Sequence, residues 1–454
     1  MADHPTSDSG PNSVTPNSAT PGSQSFNLDA RRPTGRPVFE SSLLPERKRR
    51  RFSPWLVIPG LLAVLVAILY LLIFGPKPRR VVNTAGAVVY ACDAGSPGVT
   101  HLWSTPMGGG LARPLSSGAS ADSSPAFSAD GNQIAFLSSR VGGQNQVWVM
   151  DGDGKNPLQV TREGGAKAQP TFAPGSNALL AFLSGASLAV LNVGKGDASV
   201  ILPPPAGQAA HPDSSDTTDT PQVQTAASTV TSFAWQPSAP DTTDPGLAAV
   251  LDTGGVEALA VLPTLSAPPR LTQNDKADGP PLAAADDIEV AWAPDGSKIA
   301  VALLHVAGLA DNQKASGLIV LDARGNLLRD AQGGTPRPIF AVRDPALGPQ
   351  NPVYSPDGSL IAFEMWRQTD LASRTRLGLS LIPAGGGSPK LIAKGDAGAA
   401  QFSRDGGLIF FLQRRADGGH DLMRTGVDGT GLTRLSDGRS DVTGFTLSPQ
   451  AIKP

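Results

Sequence analysis

Along most of the chain the apolar residues come in short runs separated by Gly, Pro, Asp and Ser. In "SPAFSADGNQIAFLSS", residues 124–139, one run centred on Phe127 and a second over 134–137 flank Asp130-Gly131. Gly tolerates positive φ and the Asp carboxylate can accept a nearby backbone N–H, so the pair turns the chain at little cost. The stretch predicts a tight β-hairpin. "QVWVMDGDGKNPLQVT", residues 146–161, repeats the logic with strands on either side of "DGDGKN". Together they predict one four-stranded antiparallel unit.

A lone sheet of that size cannot bury both faces, which directs attention to repetition. The first half-unit recurs as "PTFAPGSNALLAFLSG", "FAWQPS", "VAWAPDGSKIAVAL", "PVYSPDGSLIAFEM", "AQFSRDGGLIFFLQ" and "GFTLSPQ". Its anchor positions are Phe127, Phe172, Trp235, Trp292, Tyr354, Phe402 and Leu447, spaced by 45, 63, 57, 62, 48 and 45 residues. Such spacings suit propeller blades with loops of varying length. Second half-units beginning at His101, Val147, Ser187, Glu257, Gly317, Leu377 and Asp421 alternate with the first. Seven of each predict seven blades. One blade must be split: "AVVYACD" from Ala87 matches a second strand, and "GFTLSP" near the C-terminus supplies its missing innermost strand. The predicted ring closes one plus three, which removes the edges of an open stack.

The phrase S-x-D-G-x-x-I-A-F, followed by an aromatic strand and D-x-D-G, resembles the WD-like repeat of TolB-type propellers over roughly residues 87–449. The copies at 170 and 233 lack the Asp-Gly turn. The resemblance implies an all-β propeller of a bacterial envelope protein. Family propellers often have six blades, so a six-bladed ring is the alternative to the count of seven.

Outside the repeats, "WLVIPGLLAVLVAILYLLIF", residues 55–74, carries no charge and is 20 residues long, the length that crosses a bilayer core. It predicts a transmembrane helix. Arg47, Lys48, Arg49, Arg50 and Arg51 precede it, against Lys77, Arg79 and Arg80 after it. The bias places the N-terminus in the cytoplasm and the propeller outside it, and the five basic residues also suit anionic lipid. The polar leader before the apolar run is too long for a cleaved signal peptide and predicts an uncleaved anchor. Residues 1–54 predict a disordered cytoplasmic tail rich in Pro, Ser, Thr, Asn and Gly, with too little apolar surface to offset ordering. Residues 75–86 form a linker and 87–450 the propeller. Cys92 is the single cysteine, which excludes an internal disulfide. "VVYAC" echoes a lipoprotein box but stands too far from the apolar segment for lipidation.

The predicted ectodomain, residues 81–454, holds 26 Lys and Arg against 34 Asp and Glu, a net of −8. That balance disfavours nucleic acid as a ligand. His4, His101, His211, His305 and His420 share no metal-ligand spacing, so the residues give no catalytic site and no metal or other cofactor. "DGDGKN" departs from a calcium loop, with Lys155 at its fifth position.

With the strands of a blade lettered A to D from the axis outward, the long insertions are expected on one face, the face of the B–C and D–A connections, in contrast to the short Asp-Gly turns. They cover 203–228, 272–286 and 330–350 between blades, and 303–316 and 364–376 within them, with 238–246 as an A–B exception. Insertions gathered on one face mark a binding face. Arg140, His305, Arg343, Trp366, Arg367, Arg374 and Arg376 are the candidate partner-binding residues there, Trp and Arg being enriched in interface hot spots. The expected function is a membrane-anchored, non-enzymatic scaffold that holds an envelope protein or a glycan. An enzyme of lyase or cyclase type acting in the central channel, and a sensor domain of a signalling system, are the alternatives. Because strand B of the split blade begins at the A–B end, the short-turn face is expected toward the membrane.

Overall fold

Seven four-stranded antiparallel sheets, with no α-helix, make up the described part of the chain. The computed structural model describes residues 86–451 except 95–97, 163, 203–227, 238–242, 272–285, 311–312, 329–337, 345 and 370–372. The expected tail, transmembrane segment, basic run and nearly all of the linker lie outside the described residues. Among the described residues no helix is long and apolar enough to cross a membrane.

Strands are lettered A to D from the axis outward. Blades 2 to 7 follow in chain order at 122–159, 167–202, 229–271, 286–342, 347–394 and 397–434. Blade 1 takes strands B to D from Gly86–Cys92, His101–Pro106 and Arg113–Pro114, and its innermost strand from Val442–Ala451. Val88, Val89 and Tyr90 pair with Leu447, Thr446 and Phe445. The one-plus-three closure and the count of seven are therefore as expected, and the six-bladed alternative is set aside. The sequence anchors Phe127, Phe172, Trp235, Trp292, Tyr354 and Phe402 each end a strand A.

Seven apolar clusters occupy the seven gaps between neighbouring sheets. Strand B faces such a cluster on both sides, which is why its residues run apolar without alternation, as in Ile134–Ala135–Phe136, all fully buried. Phe136, Phe182, Phe363, Phe410 and Phe411 are the largest of these side chains, each stabilising the fold by about 1.5–3 kcal/mol. Cys92 is one such core residue, 3 % exposed, and burial pushes its thiol up to about 11.

The A–B turns account for the repeated Ser-x-Asp-Gly phrase. In blade 2 the Ser128 hydroxyl donates to Asp130 Oδ1 at 2.7 Å and accepts the N–H of Gln133 at 3.0 Å. Asp130 Oδ1 accepts the N–H of Asn132 at 3.0 Å, and Gly131 sits at φ 72°. Ser355 and Asp357 do the same in blade 6, and Ser403 and Asp405 in blade 7. Where blade 3 has Ala173 instead, Ser176 accepts the N–H groups of Ala178 and Leu179. The Ser and Asp side chains thus bond within six residues of chain, while in blade 2 the N–H groups of Ala129 and Asp130 donate across to Ser176 and Asn177 of blade 3.

Every strand A carries a register shift near its start. In blades 2, 3, 6 and 7 a residue other than Gly adopts left-handed backbone there: Ser124, Gln169, Asn351 and Ala399, at φ 49° to 54°. Pro125, Pro170 and Pro352 follow the first three. A bulged residue has no ladder partner, so a proline leaves no N–H stranded.

Blade 5 departs from expectation. Its strand D was expected within the second half-unit ending at Asp330, which would put 330–350 between blades; the structure forms it from Phe340–Val342, paired with Ser316, Gly317 and Leu318. Leu327 makes only a single bridge to Leu321. Ile339 and Phe340 prevail because they pack into the cluster between blades 5 and 6, where Phe340 lies 5.3 Å from Phe363. The insertion is therefore a C–D connection, on the short-turn face.

Candidate interaction face

Strands B and C of blades 5 and 6 run on past the usual blade length as paired hairpins, Lys298–Ala310 with Gln313–Asp322 and Leu360–Gln368 with Arg374–Pro383. The expected insertions at 303–316 and 364–376 are thus extended strands. Strand order also puts the connections across 203–227 and 272–285 between blades, as expected.

Five of the seven candidate residues meet at one end of blade 6. Arg343 stands in the connection entering Leu347–Tyr354, whose Leu347 pairs with Arg367. Trp366 pairs with Arg376, and Gln368 with Arg374. Arg367 and Arg374 are exposed. His305 lies on the neighbouring hairpin of blade 5, with its side chain outside the described residues. Arg140 stands apart, in blade 2.

Arg376, Trp366 and Arg140 are engaged internally. Arg376 stacks on Trp366 at 4.5 Å, donates from Nε to Glu364 Oε2 at 2.6 Å, and bridges to Asp396 at 2.5 Å. Glu364 is 1 % exposed, and it also accepts the Trp366 indole N–H at 3.0 Å and the Ala399 backbone N–H of blade 7 at 2.7 Å. Arg140 donates to Asp122 at 2.7 Å and stacks over Trp148 at 4.8 Å and Phe136 at 5.4 Å. Asp122 is fully buried, so this guanidinium neutralises a carboxylate that could not otherwise stay charged at low cost.

Sequence reasoning missed Glu364, Asp122 and Asp396. The signal for Glu364 is a lone carboxylate inside the apolar run "IAFEM". Glu289, on strand A of blade 5, was missed too. Burial, with the charges of Glu364 and Glu257 adding to it, pushes its carboxyl up to about 7. Glu257 accepts the Ile288 N–H at 2.5 Å. Among the described residues no group of three or more His, Cys, Asp or Glu is placed to hold a metal ion.

Two clefts open on the opposite, short-turn face. One of about 730 Å³ lies between blades 5 and 6, with Tyr354, Ile339 and Pro356 in its walls. The other, about 350 Å³, is bounded by Phe127, Phe172, Leu447 and Arg404.

This geometry defines a seven-bladed β-propeller whose B–C and D–A face carries extended hairpins. No protein-family model matches the chain, and no curated protein does. Among solved structures it is similar to a prolyl endopeptidase, 13 % identical, with a TM-score of 0.51, covering 88 % of this chain and 56 % of that one. It is also similar to TolB from Acinetobacter baumannii, at 14 % identity and a TM-score of 0.44 over 85 % of this chain and 71 % of TolB. An oligogalacturonate lyase in complex with manganese gives 10 % and 0.49, over 77 % and 83 %. At these identities the likeness concerns the fold, and the proteins sharing it include enzymes.

Proposed function

We propose that the chain is a membrane-anchored, extracytoplasmic binding scaffold of a bacterial cell envelope, without catalytic activity, which holds a protein or glycan partner on its B–C and D–A face. The observation that carries this reading is the meeting of Arg343, Trp366, Arg367, Arg374 and Arg376 at one end of blade 6, beside strands extended beyond the blade. The buried carboxylate of Glu364 preorganises Trp366 and Arg376, which lowers the entropy a partner must offset on binding. Anchoring rests on the uncharged residues 55–74 and the basic run before them. Reversing charge in Arg367→Glu is expected to abolish co-purification of the envelope partner from detergent extracts while leaving the melting temperature unchanged. Unaltered co-purification would move the binding surface elsewhere. Protease added to spheroplasts should remove the propeller and spare an N-terminal tag.

One observation favours an enzyme instead. Glu289 lies on a channel-lining strand with its carboxyl near 7, where a general acid or base works best. Turnover of a glycan or peptide library by purified protein, lost in Glu289→Gln, would establish that alternative.

A further inference from the structure

The innermost strands have neighbouring blades on both flanks and strand B behind them, so their open side is the central channel. Residues there that remain exposed look into it: Ser124, Gln169, Thr171, Thr231 and Thr443 are exposed, and Asn351 is half-buried. These six are hydroxyl or amide side chains, and the exposed Ala168 and Ala399 stand on the same strands. Gln401, half-buried in blade 7, spans to the next strand by donating to the Phe445 carbonyl at 2.9 Å. Three of the set, Ser124, Gln169 and Asn351, are the left-handed residues of the strand A bulges, at φ 49° each. Backbone of that kind costs on the order of 1 kcal/mol per residue and persists where the surrounding structure enforces it. The same strained turn of chain recurs in four blades and carries a polar side chain in three of them, with Ala399 in the fourth. On the same innermost strands Asp122 is buried against Arg140, and blade 5 carries Asp286, Asp287 and Glu289.

From this arrangement we infer that the mouth of the channel is a subsite for a neutral, polyhydroxylated chain, that is a glycan, whose hydroxyl groups exchange hydrogen bonds with Ser124, Gln169, Thr171, Thr231, Asn351 and Thr443. Hydroxyl and amide groups both donate and accept, as sugar hydroxyls do, and a ring of them fits a ligand without fixed charge. The inference rests on the binding-scaffold reading and narrows its partner to a glycan entering between the blades, with the arginines of blade 6 outside the subsite.

The test is titration of the full-length protein in detergent micelles with chitohexaose and with maltohexaose, followed by calorimetry and by saturation-transfer NMR. Saturable binding of at least one sugar is expected. Gln169→Ala combined with Thr171→Val should weaken it about tenfold or more, two lost hydrogen bonds amounting to that factor. Thr231→Val alone, a nearly isosteric change, should weaken it severalfold, with melting temperature as the check on folding. Arg367→Ala should leave it unchanged. Absence of binding by the wild-type protein, or binding indifferent to the channel substitutions, overturns the subsite. Binding lost in Arg367→Ala but kept in the channel variants also overturns it, while leaving a glycan-binding scaffold on blade 6. Sugar bound at the channel and then cleaved would keep the subsite and refute the non-enzymatic reading.

Discussion

The two faces of the propeller solve the same problem, satisfying polar groups at the ends of strands, by opposite means. On the A–B face Ser128 and Asp130, or Ser403 and Asp405, close their hydrogen bonds within a few residues of the same turn. On the B–C and D–A face the partners are distant in sequence. Arg140 reaches Asp122, Arg376 reaches Glu364 and Asp396, and Arg415 reaches Asp421 and the carbonyl of Ser440. Here buried carboxylates replace solvated ones: Asp122 is fully buried and Glu364 1 % exposed. A local turn bond is cheap to form and cheap to lose. A buried ion pair adds little over an apolar packing of equal volume, but losing one partner strands a charge.

The largest effect expected concerns the seam on which both faces depend. Deleting residues 441–454 removes strand A of blade 1, opens the ring and uncovers Val88 and Tyr90. The melting temperature should fall by more than about 15 °C, or the protein should aggregate, because an exposed edge and an unfilled core face appear together. Thermal unfolding of the truncated chain checks this, and an unchanged transition would mean the ring does not need its C-terminal strand.

Next come the ion pairs of the insertion face. Arg140→Ala leaves Asp122 buried without its cation, and Glu364→Ala leaves Arg376 and the Ala399 N–H without their shared acceptor. Each should cost about 3–5 kcal/mol in denaturant unfolding. If both cost no more than the exposed Arg367→Ala, which should stay within about 0.5 kcal/mol, the contrast between the faces disappears.

Glu289 gives a smaller effect with a sign. Its carboxyl is raised from 4.5 in the unfolded chain to about 7 in the fold, so between those values the folded state holds the proton more tightly. Stability should therefore fall as pH rises from about 4.5 to 7 and stay lower above it. Glu289→Gln should match the wild type near pH 4 and exceed it by on the order of 1–3 kcal/mol at pH 8. Equal stability of the two proteins at both pH values would remove the buried carboxylate from the account. The smallest change belongs to the turn face, where Ser403→Ala should cost about 1 kcal/mol. A loss as large as that of Glu364→Ala would show that the turns too are held by long-range packing.

Much of the architecture was legible because it is local and repeated. The aromatic anchors predicted the ends of the A strands, Asp-Gly predicted the turns, and the unmatched half-unit at each end predicted the seam. The candidate site was legible only in part. Arg140 and Arg376 stand out by type, but their partners Asp122 and Asp396 lie 18 and 20 residues away, on strand A of blade 2 and in the connection from blade 6 to blade 7. Pro125, Pro170 and Pro352 were in view as residues, yet their meaning as bulge markers needs the register of strand B beside them.

The sequence by itself determined the blade count, the closing strand and the turn chemistry, since each follows from a pattern a few residues long that the chain states again and again. Tertiary structure decided where strand D of blade 5 lies, because Ile339 and Phe340 gain more by packing against blade 6 than "NLLRD" gains by pairing sooner. It also decided which arginines are tied down, since a buried carboxylate draws its partner from whatever strand brings a cation near. The polar ring at the channel mouth belongs to that second kind: its residues are ordinary one by one, and only the closure of seven sheets around an axis sets them facing one another.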